Sequence, residues 1–266
     1  MTKQGWLLIA VGLLAVGLAV TLGRDVVFPA QDRTWQTMQR TGVWRVGLDP
    51  SFPPFELLDA TGKPVGFDID LAQSMAAVWG LKTEIVPVGF DSLLDALRTG
   101  QVDSVISALP YDERMTEDVA YSSAYYEAGI RLVVRQGSDL RDGTTLANRR
   151  LAVELGSMGD MVGRRLQRQH ASLHLRHYET PQAVLDALVQ DKSIDAVLVD
   201  QVTLRTAQGQ NAPVVAVGPA LESNPYVIAM PHAAGELQTQ VEATLRQLQQ
   251  TGALIEIESK WFDETK

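Results

Sequence analysis

The sequence predicts an α/β fold built as two similar lobes and preceded by an apolar anchor helix. Three observations predict it. Beyond residue 42, short apolar strands alternate with amphipathic helices, the order that gives parallel sheets. The helix–turn–strand stretch at 94–107, LDALRTGQVDSVIS, returns at 185–199 as LDALVQDKSIDAVLV with one extra residue. Each copy follows a strand–turn–helix unit, so the chain repeats a whole α/β half. The third observation is the uncharged run at 6–23, WLLIAVGLLAVGLAVTLG.

That run is roughly 18 residues, near the lower bound for crossing a bilayer. Lys3 precedes it and Arg24-Asp25 close it, which puts the amino terminus inside and the remainder outside. No polar face exists on it, so a buried core helix is set aside. The cleavage-like sites Thr21-Leu22-Gly23 and Phe28-Pro29-Ala30 are mediocre. Residues 1–24 therefore read as a retained signal anchor, with a cleaved signal peptide as the alternative. Residues 25–42 are polar and read as a tether, with a short helix near Trp35 and Met38.

WRVGLD is a strand running into PSFPPF, where Pro53 and Pro54 stop helix and sheet alike. Asp68 is placed to cap a helix that runs to Trp79 and ends at Gly80. KTEIVPV alternates as a strand, Asp91 caps the helix of DSLLDALRTG, and VDSVISAL is the next strand. IRLVVR, RLAVEL, LHLRHY and IDAVLVD continue as a parallel series. A helix starts after Gly156, and Thr180-Pro181 supplies an N-cap with a first-turn proline. APVVAV and YVIAM follow, and two helices finish the chain at Trp261-Phe262.

Composition narrows the function classes. The 266 residues are 45% hydrophobic and 21% charged, enough for two small domains with real cores. A net charge of −9 without any long Lys/Arg run excludes a phosphate-tracking surface, and with it nucleic acid. The absence of cysteine removes disulfides, thiolate nucleophiles, cysteine zinc sites and cysteine-linked lipid. No P-loop, Ser-x-x-Lys, Gly-x-Ser-x-Gly or His-Glu-x-x-His motif occurs. His170, His174 and His177 suggest a metal cluster, but no carboxylate pattern completes a ligand set. They read as surface histidines, and neither a metal nor a cofactor is expected.

In open parallel sheets ligands sit beyond the carboxyl ends of the strands. Asp49, Ser107, Gly156-Ser157 and Asp200 all fall there. Backbone N–H groups at Gly156-Ser157 can receive a carboxylate or phosphate, or Ser157 simply caps its helix. Asp200 either meets a cation or caps the helix from Val202. Asp49 and Glu56 flank the Pro-rich turn. Phe52, Phe55 and Phe90 suit a wall against a flat or aliphatic ligand, or else a core.

Laid out in order, VGLDPSFPPFE (46–56), GFDIDLA (66–72), VDSVISAL, the stretch 118–135, RRLAVELGS, IDAVLVD and KWF resemble the ABC-transporter substrate-binding proteins for polar amino acids. The resemblance covers 42–262. It implies a Venus-flytrap fold with chain crossings near 129–133 and 222–227. Residues 43–128 with 228–266 would form one lobe, and 129–227 the other. It implies an extracytoplasmic monomer that closes on a small polar solute and presents it to ABC permease subunits, with no bond made or broken.

Carried over residue by residue, the family's aromatic clamp falls on Phe52 and Phe90 and its polar side-chain contact on Asp49. Its backbone acceptors fall on Ser107 and Leu109, and its amine-binding carboxylate on Asp200. Three departures fall where an α-carboxylate would be held. Met115 occupies the place of the carboxylate-gripping arginine, with Arg114 one position earlier. Pro110 replaces a hydroxyl residue, and Gly156-Ser157-Met158 stands for Gly-Thr-Thr. Glu154 adds a charge where the family is commonly neutral. Asp49, Glu154 and Asp200 together favour a cationic amino acid or related amine. The rival readings on the same fold are a cyclohexadienyl dehydratase with Glu154 as general acid, and a ligand-sensing module for a separate membrane partner.

Overall fold

A computed structural model describes residues 33–263. The expected anchor and the first part of the tether lie outside the described residues. Among those described, no helix is long and apolar enough to cross a membrane. The end of the expected tether is instead part of the fold. It forms α1 (Thr34–Thr41), which buries Met38 in the core and sets Trp35 edge-on against Trp79 at 5.4 Å.

The chain then runs through β1 (Val43–Leu48), a small ribbon of β2 (Leu57–Leu58) and β3 (Pro64–Val65), α2 (Phe67–Trp79), β4 (Lys82–Pro87), α3 (Leu93–Arg98), β5 (Ser104–Val105) and β6 (Val119–Tyr121). It leaves through β7 (Tyr126–Glu127). A second run holds β8 (Ile130–Arg135), β9 (Arg150–Glu154), α4 (Met158–Gln169), β10 (His174–Tyr178), α5 (Pro181–Gln190), β11 (Ala196–Asp200), α6 (Gln201–Gly209) and β12 (Val214–Glu222). It returns through β13 (Pro225–Tyr226) to β14 (Ala229–Pro231), α7 (Gly235–Thr251) and α8 (Ala253–Phe262).

The two five-stranded sheets are ordered β4–β1–β5–β14–β6 and β10–β9–β11–β8–β12. They correspond strand for strand. β1 and β9 are each parallel to both neighbours, while β14 and β8 lie antiparallel beside β5 and β11. The sequence repeat is thus a repeat of topology. The expectation of a wholly parallel series is corrected at β8 and β14. A parallel neighbour needs a crossover, usually a helix, on the sheet face, and both strands arrive straight from the chain crossing without one.

β7 and β13 pair antiparallel, Tyr126 with Tyr226 and Glu127 with Pro225. The crossings therefore lie at 126–127 and 225–226. Residues 130–133, expected at the first crossing, instead sit inside β8 in register with β11.

Helix starts follow the capping expectation at Thr180 but not at Asp68 or Asp91. Thr180 Oγ1 accepts the Ala183 amide at 3.2 Å with Pro181 in the first turn, as the sequence predicts. Asp68 does not cap α2; the helix begins at Phe67 and Asp68 is wholly buried. The preceding Gly66 has φ 143°, and a Cβ there would lie 2.0 Å from the Phe55 carbonyl oxygen, so no other residue fits. Asp91 gives no cap to α3, which is entered through a 3₁₀ turn at Phe90–Ser92.

Both faces of each sheet are covered, which is why the strands read as near-continuous apolar runs. Trp44, Phe67, Met75, Leu237 and Leu245 fill the side under α2, α7 and α8. Leu93, Leu97, Val105 and Val119 fill the opposite side under α3. In the second sheet Leu132, Val153, Val162 and Leu198 pack beneath α4, and Val133, Val184, Leu188 and Leu204 beneath α5 and α6. Each such buried side chain contributes about 1.5–3 kcal/mol.

Candidate functional site

Two matched βαβαβ runs leave the carboxyl ends of β1 and β5 on one sheet and of β9 and β11 on the other. Between them is a cleft. Its larger hollow, about 540 Å³, is lined by Glu154, Ser157, Thr180, Asp200 and Thr203, with Phe52 and Tyr226 on the opposite side. An adjoining hollow of about 320 Å³ is lined by Asp49, Glu56, Phe90 and Ser107, again with Phe52 and Tyr226. Phe52 and Tyr226 line both hollows.

On the side of the first sheet the floor is a chain of hydrogen bonds. The Asp49 amide donates to Ser107 Oγ at 3.0 Å, and Ser107 Oγ donates to Glu56 Oε1 at 2.9 Å. Asp49 Oδ2 accepts the Phe90 amide at 2.8 Å, which fixes the start of the 3₁₀ turn. The Ala108 amide donates to Asp68 Oδ2 at 2.6 Å, and Tyr125 Oη donates to the same oxygen at 3.1 Å. Ala108 has φ 41°, a left-handed conformation that costs a non-glycine residue about 1–3 kcal/mol, and these bonds hold it there.

Glu56 and Asp68 are 1% and 0% exposed. Among the described residues, Glu56 Oε2 and Asp68 Oδ1 are buried without a hydrogen-bond partner, and the two carboxyls lie near enough to shift each other's titration. Burial pushes the Glu56 carboxyl far up, and the neighbouring Asp68 charge pushes it further. Burial raises Asp68 too, but its bonds from Glu56, the Ala108 amide and Tyr125 hold it back. The pair therefore carries a single negative charge at neutral pH.

On the side of the second sheet three helices begin at the cleft. Ser157 caps α4, accepting the Asp160 amide at 3.2 Å and donating to the Glu154 carbonyl at 2.8 Å. Thr180 caps α5. Asp200 caps α6, accepting the Thr203 amide at 2.6 Å on Oδ1 and the Thr203 hydroxyl at 3.1 Å on Oδ2. The capping readings of Ser157 and Asp200 hold, and both residues still line the cleft. Behind α4, buried Asp160 accepts from the Gly156 amide, Arg164 and His177. His177 is a surface histidine, as expected, and also a partner of Asp160.

Seven of the predicted residues line the cleft: Asp49, Phe52, Phe90, Ser107, Glu154, Ser157 and Asp200. Three do not. Gly156 lies behind it, its φ of 79° turning the chain from β9 into α4. The Leu109 carbonyl accepts the Val227 amide at 3.0 Å, and the residue lines a further hollow that shares Phe90 and Pro110 with the smaller one. Arg114 lines that same hollow with a side chain 88% exposed, clasping Asp112 through Nε at 2.9 Å and Nη2 at 2.7 Å. Asp112 caps the 3₁₀ turn Glu113–Met115, and this clasp turns Arg114 outward. Sequence reasoning missed Tyr226, Thr180 and Thr203 as lining residues, and the union of Glu56 with Asp68. Thr180 carried a usable signal, since a helix start after a parallel strand faces the same way as the strand end.

Residues 44–264 match the model of the bacterial extracellular solute-binding proteins, family 3. The L-cystine-binding protein TcyJ of Escherichia coli (strain K12) is 25% identical over 254 residues, covering 94% of this chain and 93% of that protein. The L-arginine-binding protein of Pseudomonas aeruginosa is 26% identical over 229 residues, covering 82% and 87%. Among solved structures, an ancestral cationic amino acid solute-binding protein (AncCDT-1) aligns with a TM-score of 0.68 at 27% identity, over 86% of this chain and 100% of that one. The two sheets are the two lobes of that periplasmic-binding-protein fold.

Proposed function

The chain belongs to the bacterial extracellular solute-binding proteins of family 3, and we propose that it is the receptor of an ABC importer, closing on a cationic amino acid or related amine. One observation carries this reading: carboxylates stand at strand ends on both sides of one cleft, Asp49 on the first lobe, Glu154 and Asp200 on the second. An ammonium or guanidinium that bridges them is bound most tightly when the lobes close, and so selects the closed form that a permease reads. Charge-assisted bonds in a partly dehydrated cleft exceed the 0–1 kcal/mol of about the median exposed ion pair.

The same reading assigns 43–128 and 228–266 to the first lobe, joined by α1, and 129–227 to the second. Residues 1–24 would hold this monomer at the outer face of the cytoplasmic membrane, near its permease at high effective concentration. If they are cleaved, the receptor is periplasmic or secreted.

Asp200→Asn tests the site. Asn caps a helix about as well as Asp, so the substitution removes charge while keeping α6. Calorimetry with arginine, lysine and their amines should show an affinity loss of about 2 kcal/mol or more, roughly thirtyfold. The melting temperature should stay within about 2 °C. Unchanged affinity would remove Asp200 from the site. Failure of the unsubstituted chain to bind any cationic amino acid or amine would sink the receptor reading itself.

A further inference from the structure

Every charged side chain lining the cleft is acidic. Asp49, Glu154 and Asp200 reach it from three strand ends and Glu56 from the Pro-rich turn. Among the described residues lining these two hollows there is no Arg, Lys or His; the further hollow that shares Phe90 and Pro110 with the smaller one carries Arg98 and Arg114. Several cations of the fold are already paired with carboxylates: Arg98 with Asp95 and Asp118, Arg114 with Asp112, Arg164 with Asp160, Arg165 with Glu222, and Arg205 with Glu258 and Asp263. At the helix starts Ser157, Thr180 and Asp200 each accept an amide of their own first turn, which removes one of the donors an anion would use. For α6 the cap is itself a negative charge.

A ligand carboxylate placed here would meet three carboxylates and the singly charged Glu56–Asp68 pair, with no side-chain cation to offset them. An α-amino acid must put its carboxylate somewhere in such a cleft. The middle, where Phe52 and Tyr226 line both hollows, is apolar and aromatic, a setting for methylenes and for cation–π contact. We infer that the solute has no free carboxylate and is an aliphatic amine or guanidine with one positive group toward Asp49 and another toward Glu154 and Asp200. The inference rests on the proposed receptor site and names its substrate class.

The test uses ligands that differ only by the carboxylate: agmatine against arginine, and cadaverine against lysine. Each is titrated calorimetrically into the full-length chain in detergent at neutral pH. The decarboxylated member of each pair should bind roughly tenfold tighter or better. Tighter binding of arginine and lysine overturns the inference and leaves the receptor reading intact. Binding of neither pair overturns both. Arg114→Ala supplies an independent check. Affinity for all four should stay within about twofold; a loss confined to arginine and lysine would place Arg114 on their carboxylate and refute the carboxylate-free assignment.

Discussion

Glu56 keeps a proton in the folded protein that it would release on unfolding at neutral pH. Its folded pKa is raised above the ordinary 4.5, first by burial and then by Asp68. The sign follows: this contribution to stability is full below pH 4.5 and is lost as pH rises from there into the alkaline range. Glu56→Gln removes the titrating carboxyl and keeps an oxygen that accepts from Ser107. The stability of the native chain minus that of the variant should fall by about 1.4 kcal/mol per pH unit between roughly pH 5 and pH 8. Urea unfolding across that range measures it, and parallel curves for the two proteins would refute the retained proton. The pair was illegible in the sequence because it joins a turn to a helix only after folding, whereas Asp49 and Asp200 were legible as polar residues closing apolar strands. Arg114 misled for a local reason. Its exposed side chain clasps Asp112 two residues away.

The walls of the cleft depend on how closely helix starts approach the strands beside them. A Cβ on Gly159 would lie 2.6 Å from the Leu198 carbonyl oxygen, so α4 sits against β11 only because that position lacks a side chain. Gly159→Ala should push away the first turn that carries Ser157 and Met158, at a cost of about 1–3 kcal/mol. Ligand affinity should fall with it. Gly235→Ala, at the start of α7 with nothing within 4 Å of its new methyl, should be neutral or slightly stabilising. Thermal unfolding and calorimetry on both variants check this, and equal effects would show that the contact at Gly159 relaxes freely. At this scale the sequence announced strands, helix stops and the Thr180 cap through local chemistry. The direction of β8 it could not announce, because an apolar run buried on both faces reads the same whichever way it points.

For the molecule as a whole, the repeat at 94–107 and 185–199 was the most legible feature, since two copies of one α/β half must each build a sheet. The placement of one half against the other was not legible, because it is set by contacts far apart in the chain. α6 is one such link. It begins at the cleft with Asp200 and ends where Gly209 lies too near the Phe262 carbonyl for any Cβ, while Arg205 pairs with Glu258 and Asp263 of the C-terminal region. The crossings are only the two short paired strands β7 and β13, a narrow joint about which two well-packed lobes can turn. A ligand that binds carboxylates on both lobes has its strongest contacts when they approach, so binding and compaction should be one event. At a concentration 100 times its dissociation constant such a ligand adds about 2.7 kcal/mol to stability. For a chain of this size the melting temperature should rise by roughly 5–10 °C. Small-angle scattering on the same samples should show the radius of gyration fall as the melting temperature rises. A ligand that raised the melting temperature and left the radius unchanged would bind without closing the lobes. A permease would then have no closed form to read, and the transport role would lose its physical basis.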